Sequence, residues 1–116
     1  MPLVSARKLL AHAQRECYAV PLFDIFELTG LEDYFAALEE KQAPAITGVY
    51  QSIIDKPIMA PYTAVVRHMA EQTTVPVALM LDHGRSAEQC RQAIDLGFTD
   101  VMYDGSTLSF EENVKN

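Results

Sequence analysis

VPVALMLDHGRS, residues 75–86, decides how the rest of the chain is read. An apolar run from Val75 to Leu81, bounded by Pro76 and Gly84, leads into Asp82 and His83. A run of this length and character predicts a strand buried on both faces, as in a parallel sheet. Parallel α/β architectures carry their functional groups at the C-terminal ends of strands, where the βα loops leave the sheet. Here that end offers a carboxylate and an imidazole side by side. Adjacent strand residues point to opposite faces. The expectation is therefore that the strand ends at Asp82, inward in parity with Ala78 and Met80, and that His83 turns in from the loop.

Downstream, Ser86-Ala87-Glu88-Gln89 has the form of a capping box, followed by a predicted buried stripe of Ala87, Cys90 and Ile94 and a C-cap at Gly97. Residues 98–103 predict a further strand ending at Asp104-Gly105-Ser106, and Ser109 to Glu112 form a second capping box. Upstream, Tyr62, Val65, Val66 and Met69 mark a helical face, with His68 off it. Residues 51–61 carry two prolines and read as a loop. Residues 43–50 (APAITGVY) predict a strand, Leu31, Tyr34, Phe35 and Leu38 a helix, and residues 18–23 (YAVPLF) a strand ending at Asp24. Ser5 can cap a first helix with its apolar stripe at Ala6, Leu9, Leu10 and Ala13, His12 lying outside it.

The strand ends fall at positions 24, 50, 82 and 104, separated by 26, 32 and 22 residues, which are the lengths of βα units. If the strands are parallel neighbours, Asp24, Asp82 and Asp104 converge on one rim. Each of these acids could instead be a turn former or helix cap, Asp104 before Gly105 most of all. His83 beside an acid suits a hydrogen-bonded structural role as well as a metal-ligand role. His12 and His68 read as surface residues and Cys90 as a small hydrophobe. Cys17 has no base beside it to make it a nucleophile.

Composition sets the outer bounds. The 116 residues are 49% apolar and 22% charged, enough for a single domain over 1–116 with a modest core. A net charge of −7 argues against nucleic-acid and anionic-membrane partners. No apolar run approaches the roughly 20 residues of a membrane span, and the polar N-terminus is unlike a signal peptide. Two cysteines form neither a disulfide framework nor a metal spacing, so a cytoplasmic setting is expected. The same alternation also describes a flavodoxin-like receiver with a phosphoacceptor acid. This chain, however, opens on a helix, lacks an acidic pair after its first strand and has no fifth strand.

The strings MPLVSARKLLAHAQRE–YAVPLF, VPVALMLDHG, LGFTDVMYDGS and FEENV resemble, in that order and spacing, the N-terminal part of the class II, metal-dependent ketose-bisphosphate aldolases. That family cleaves fructose or tagatose 1,6-bisphosphate. The resemblance implies a (β/α)8 TIM barrel with its site at the C-terminal rim, this chain supplying about the first four βα units. It implies a lyase of carbohydrate metabolism that releases dihydroxyacetone phosphate and an aldehyde. Asp82 would be the proton donor or acceptor, His83 a zinc ligand, and Asp104 part of a secondary monovalent or divalent cation position. Asp24, Tyr50 and Ser106 would face the sugar phosphate. Cleaving a C–C bond beside a carbonyl leaves an enediolate, which calls for a Lewis acid on its oxygens and a base at the hydroxyl.

Two positions depart from the family pattern. Members that cleave bisphosphates usually have Asn at the position of Asp24, and a Gln-x-Ser pattern where this chain reads Gly48-Val49-Tyr50. Both changes disfavour a dianionic phosphate nearby, by charge or by volume. A homo-oligomer, dimer or tetramer, is expected. The alternative is a non-catalytic sugar-phosphate-binding paralogue or supporting subunit. A barrel takes about 250 residues and four strands leave two open edges, so the chain is expected to be part of a longer protein or a fragment that associates.

Overall fold

The computed structural model describes residues 3–116; Met1 and Pro2, the first two residues of the resembling N-terminal string, lie outside it. Four strands, β1 (Leu22–Asp24), β2 (Ala45–Tyr50), β3 (Val77–Gly84) and β4 (Asp100–Tyr103), form one sheet in chain order, every pair parallel. Helices α1 (Ala6–Glu16), α2 (Leu28–Lys41), α3 (Met59–Gln72), α4 (Ala87–Leu96) and α5 (Phe110–Lys115) alternate with them.

Strand periodicity divides the core in two. Ala45 and Val49 of β2, with Val77, Leu79 and Leu81 of β3, pack against Leu31, Phe35 and Leu38 of α2, Tyr62 and Val66 of α3, and Ala93 of α4. Ile46 and Ala78 point the other way and meet Ala6 and Leu9 of α1, with Leu22 and Met80 alongside. The carboxylate of Asp100, at the start of β4, holds α1 in place: it accepts from the Ser5 hydroxyl (2.9 Å) and the Ala6 N–H (2.7 Å). The Val4 N–H donates to the Val77 carbonyl at the start of β3 (2.9 Å). Helix α1 therefore covers the N-terminal end of this second face and leaves the C-terminal end open.

Several element boundaries differ from expectation. β1 has three residues instead of six; Pro21 has no N–H to give a ladder, though its carbonyl accepts from Ile46 N–H. β4 begins at Asp100, although Thr99 N–H already donates to Leu79 O. Leu10 is exposed, leaving Ala6, Leu9 and Ala13 as the buried stripe of α1. Residues 51–61 are not all loop: a 3₁₀ turn spans Gln51–Ile53, and α3 starts at Met59 and takes in Pro61. Proline is tolerated in the first helical turn, whose N–H groups have no intrahelical partner. On α4 the inward residues are Cys90, Ala93 and Leu96, while Ala87 and Ile94 are exposed. Ile94 lies about 100° round the helix from Ala93. Ser86 caps Gln89 N–H as expected, but the Gln89 side chain reaches back to Arg85 N–H instead of Ser86. The Ser109–Glu112 capping box is complete. No helix among the described residues is long and apolar enough to cross a membrane.

Candidate active site

The C-terminal ends of the four strands bring Asp24, Tyr50, Asp82, His83 and Asp104 onto one rim, since β1–β4 are parallel and adjacent. Tyr50 pairs with Asp82 in the β2–β3 register, and Asp24 with Gly48 in the β1–β2 register.

How Asp82 and His83 come to share this rim differs from expectation. β3 does not stop at Asp82 but continues to Gly84. Leu81 pairs with Val101 and Gly84 with Tyr103, so three steps along β3 match two along β4, which is a β-bulge. The extra residue breaks the alternation, and His83 takes it up in the left-handed region with φ 55°. That conformation costs an L-residue on the order of 1–2 kcal/mol. His83 Nδ1 lies 2.7 Å from Asp104 Oδ2, and Nε2 lies 3.9 Å from Asp82 Oδ2. The Tyr50 ring sits beside the imidazole, centroids 5.9 Å apart and tilted by 59°.

Asp104 is held from two sides. Its Oδ1 accepts from the Ser106 N–H (2.9 Å), and its own N–H donates to the Gly84 carbonyl (2.7 Å), carrying the β3–β4 pairing past the strand end. The donors of Ser106, then the imidazole of His83, hold the Asp104 carboxyl well below the usual carboxylate range. The hydrogen bond to Asp104 raises His83, helped by the charges of Asp82 and Asp24 and opposed by desolvation. Asp24 is raised, first by desolvation and then by the charge of Asp82. Asp24, Asp82 and His83 thus feel one another electrostatically across three strands.

Two supports of the rim were not anticipated. A Cβ at Gly48 would meet Asp24 Oδ1 and Leu22 Cδ2, so a side chain there would push the Asp24 carboxylate from its place across β2. The Tyr62 hydroxyl on α3 donates to the carbonyl of Ile25 (2.5 Å), pinning the backbone just past Asp24. Glycine inside an apolar strand signals close approach and could have revealed the first; no short-range pattern reveals the second. His12 and His68 are exposed on helices away from the rim, Cys17 is exposed and Cys90 half-buried. Ser106 is exposed on the turn after Asp104.

The rim presents the Asp82 carboxylate and one imidazole nitrogen, His83 Nε2, that makes no hydrogen bond among the described residues. Among the described residues no group of three potential ligands is arranged to hold a metal ion. His83, with Nδ1 held by the Asp104 carboxylate and Nε2 open, has the donor chemistry of one histidine ligand in a zinc shell.

Residues 4–116 match the family described as fructose-bisphosphate aldolase, class II. The chain is 44% identical to the 6-phospho-5-dehydro-2-deoxy-D-gluconate aldolase of Bacillus velezensis, over 98% of this chain and 40% of that protein. It is 41% identical to the fructose-bisphosphate aldolase of Staphylococcus aureus, over 98% of this chain and 41% of that protein. The crystal structure of the YdjI aldolase from Escherichia coli K12 superposes with TM-score 0.89 at 29% identity, covering 97% of this chain and 43% of its own. The four βα units correspond to part of a (β/α)8 barrel, and the chain spans about two fifths of the length of these relatives. With the match running through nearly every residue, the chain belongs to the class II fructose-bisphosphate aldolase family.

Proposed function

We propose that the protein is a zinc-dependent aldolase that cleaves or forms a C–C bond in a ketose phosphate, yielding dihydroxyacetone phosphate and an aldehyde. The observation that carries this reading is the bulge that sets the Asp82 carboxylate 3.9 Å from the Nε2 of His83, with Nδ1 already occupied by Asp104. His83 would supply one ligand to the zinc. When bound, the metal acts as a Lewis acid on the oxygens that gain charge as the bond breaks. Asp82 takes the proton from the hydroxyl of the departing aldehyde carbon and returns it in the synthetic direction. Asp24 and Tyr50 line the β1–β2 side of the same rim, and Ser106 fixes Asp104.

Among ketose phosphates, one with a single phosphate is favoured. Asp24 adds a carboxylate and Tyr50 adds bulk on the β1–β2 side of the rim, and the Bacillus relative is named for a substrate with one phosphate. The test is to supply the full-length protein with ketose mono- and bisphosphates and follow dihydroxyacetone phosphate. Release that disappears on chelation and returns with zinc supports the reading. Sugar-phosphate binding without any release would favour the non-catalytic paralogue.

A further inference from the structure

We propose that Asp104 is a positioning residue for His83: it holds the imidazole as the Nδ1–H tautomer and turns Nε2 toward Asp82, making Nε2 the nitrogen offered to a metal. Only the metal half of this statement rests on the aldolase reading; the hold on the ring stands by itself.

The Asp104 carboxylate can only accept, so at 2.7 Å the proton between it and His83 belongs to Nδ1. The carboxylate is anchored independently of the imidazole, because its other oxygen accepts from Ser106 N–H at 2.9 Å. The backbone beneath it is fixed as well, with Asp104 N–H on the Gly84 carbonyl at 2.7 Å. His83 needs such an anchor. It stands on the bulged residue of β3 in a left-handed conformation, and its side chain is 47% exposed, so packing alone does not set the ring. Tyr50 lies beside the ring, centroids 5.9 Å apart. With Nδ1 taken, Nε2 faces Asp82 at 3.9 Å, too far for a hydrogen bond. A cation on Nε2 would therefore lie on the Asp82 side of the ring, beside the group proposed to move the proton. Carboxylates that orient a ligating imidazole in this way strengthen metal binding through the ring without touching the metal.

The experiment uses the full-length protein with Asp104→Ala and Asp104→Asn. Nitrogen-15 NMR of the zinc-free protein at alkaline pH, where the ring is neutral, reads the His83 tautomer; chelator competition reads zinc affinity, and zinc X-ray absorption reads the coordination shell. In the parent protein His83 should be the Nδ1–H tautomer. Asp104→Ala should give a mixture of tautomers and weaken zinc by about 10–100-fold with the coordination shell unchanged. Asp104→Asn, which can satisfy only one of the two donors, should fall between. If Asp104→Ala fails to fold, Asp104→Asn carries the same three readouts. An unchanged tautomer and affinity would overturn the proposal, and an oxygen lost from the shell would make Asp104 a direct ligand instead. If the parent protein binds no zinc, the metal reading falls, while the tautomer still decides what Asp104 does to His83.

Discussion

The proposed function gives the sequence neighbours Asp82 and His83 separate tasks, proton transfer and metal ligation, and substitution should part them. Asp82 is mostly shielded, its side chain 15% exposed beside the imidazole. In the full-length protein Asp82→Asn keeps shape and zinc while losing proton transfer, a loss of about 10²–10⁴-fold in kcat. His83→Ala should instead lower bound zinc. Metal content and single-turnover rates measured on both variants check this, and the reverse pattern would exchange the two roles. In the proposed reading, Asp24 and Tyr50 are the residues of the rim that face the substrate. Removing a carboxylate and a phenol with Asp24→Asn plus Tyr50→Ser should raise kcat/KM for fructose or tagatose bisphosphate relative to the corresponding monophosphate. An unchanged ratio in a well-expressed variant would mean that neither residue faces the distal phosphate.

At the scale of elements, two carboxylates tie helices to the sheet. Asp100 takes the first donors of α1, and losing such a cap costs about 1 kcal/mol. Asp100→Ala should destabilise the full-length protein by roughly that amount in urea unfolding, while zinc affinity stays unchanged, since Asp100 starts β4 at the end away from the rim. Glu39, near the end of α2, clamps the α3–β3 connection by accepting from Thr73 Oγ1 (2.5 Å), Thr74 N–H (2.9 Å) and Thr74 Oγ1 (2.6 Å). Those donors lower its carboxyl from 4.5 to about 2. A pKa depressed by folding stabilises the folded state fully above the ordinary value, and that contribution is lost as pH falls through the folded one. Stability should therefore fall between about pH 4.5 and 2 on account of this group. Glu39→Gln should lower stability at neutral pH and flatten the acid limb over that window, as followed by thermal unfolding across pH.

At the scale of the whole set of described residues, the decisive feature is that the sheet is open. β1 and β4 are both edges, and apolar side chains stand exposed, Phe23 on β1 at 51% and, on α5, Phe110 at 79% and Val114 at 70%. Unpaired parallel edges with wet apolar surface promote association. A catalytic zinc wants three protein ligands with one position open, whereas among the described residues no such group of three exists. The 116 residues expressed on their own should therefore bind zinc weakly, show no aldol cleavage and self-associate on size-exclusion chromatography. Tight stoichiometric zinc binding with turnover by a monomer would overturn this expectation.

What the sequence determined by itself was whatever depends on local periodicity and end chemistry. Four apolar runs, each followed by a helical face, predict a parallel α/β sheet with Asp24, Asp82 and Asp104 at strand ends, because burial on both faces and the length of each βα unit leave few other arrangements. The LDHG, DGS and EEN strings carry the resemblance to the family without any geometry. Boundaries were less legible. The sequence of α4 marks Ile94 as apolar without saying that its direction faces solvent, and the start of α3 is hidden by Pro61, which the first turn accepts. The tertiary structure alone decided how Asp82 and His83 come to point the same way. That takes a bulge in β3 measured against β4, a comparison between two strands that neither strand carries in its own pattern. It also decided which His83 nitrogen is occupied, since the partner, Asp104, lies 21 residues away along the chain and reaches the imidazole only through the parallel pairing of β3 with β4.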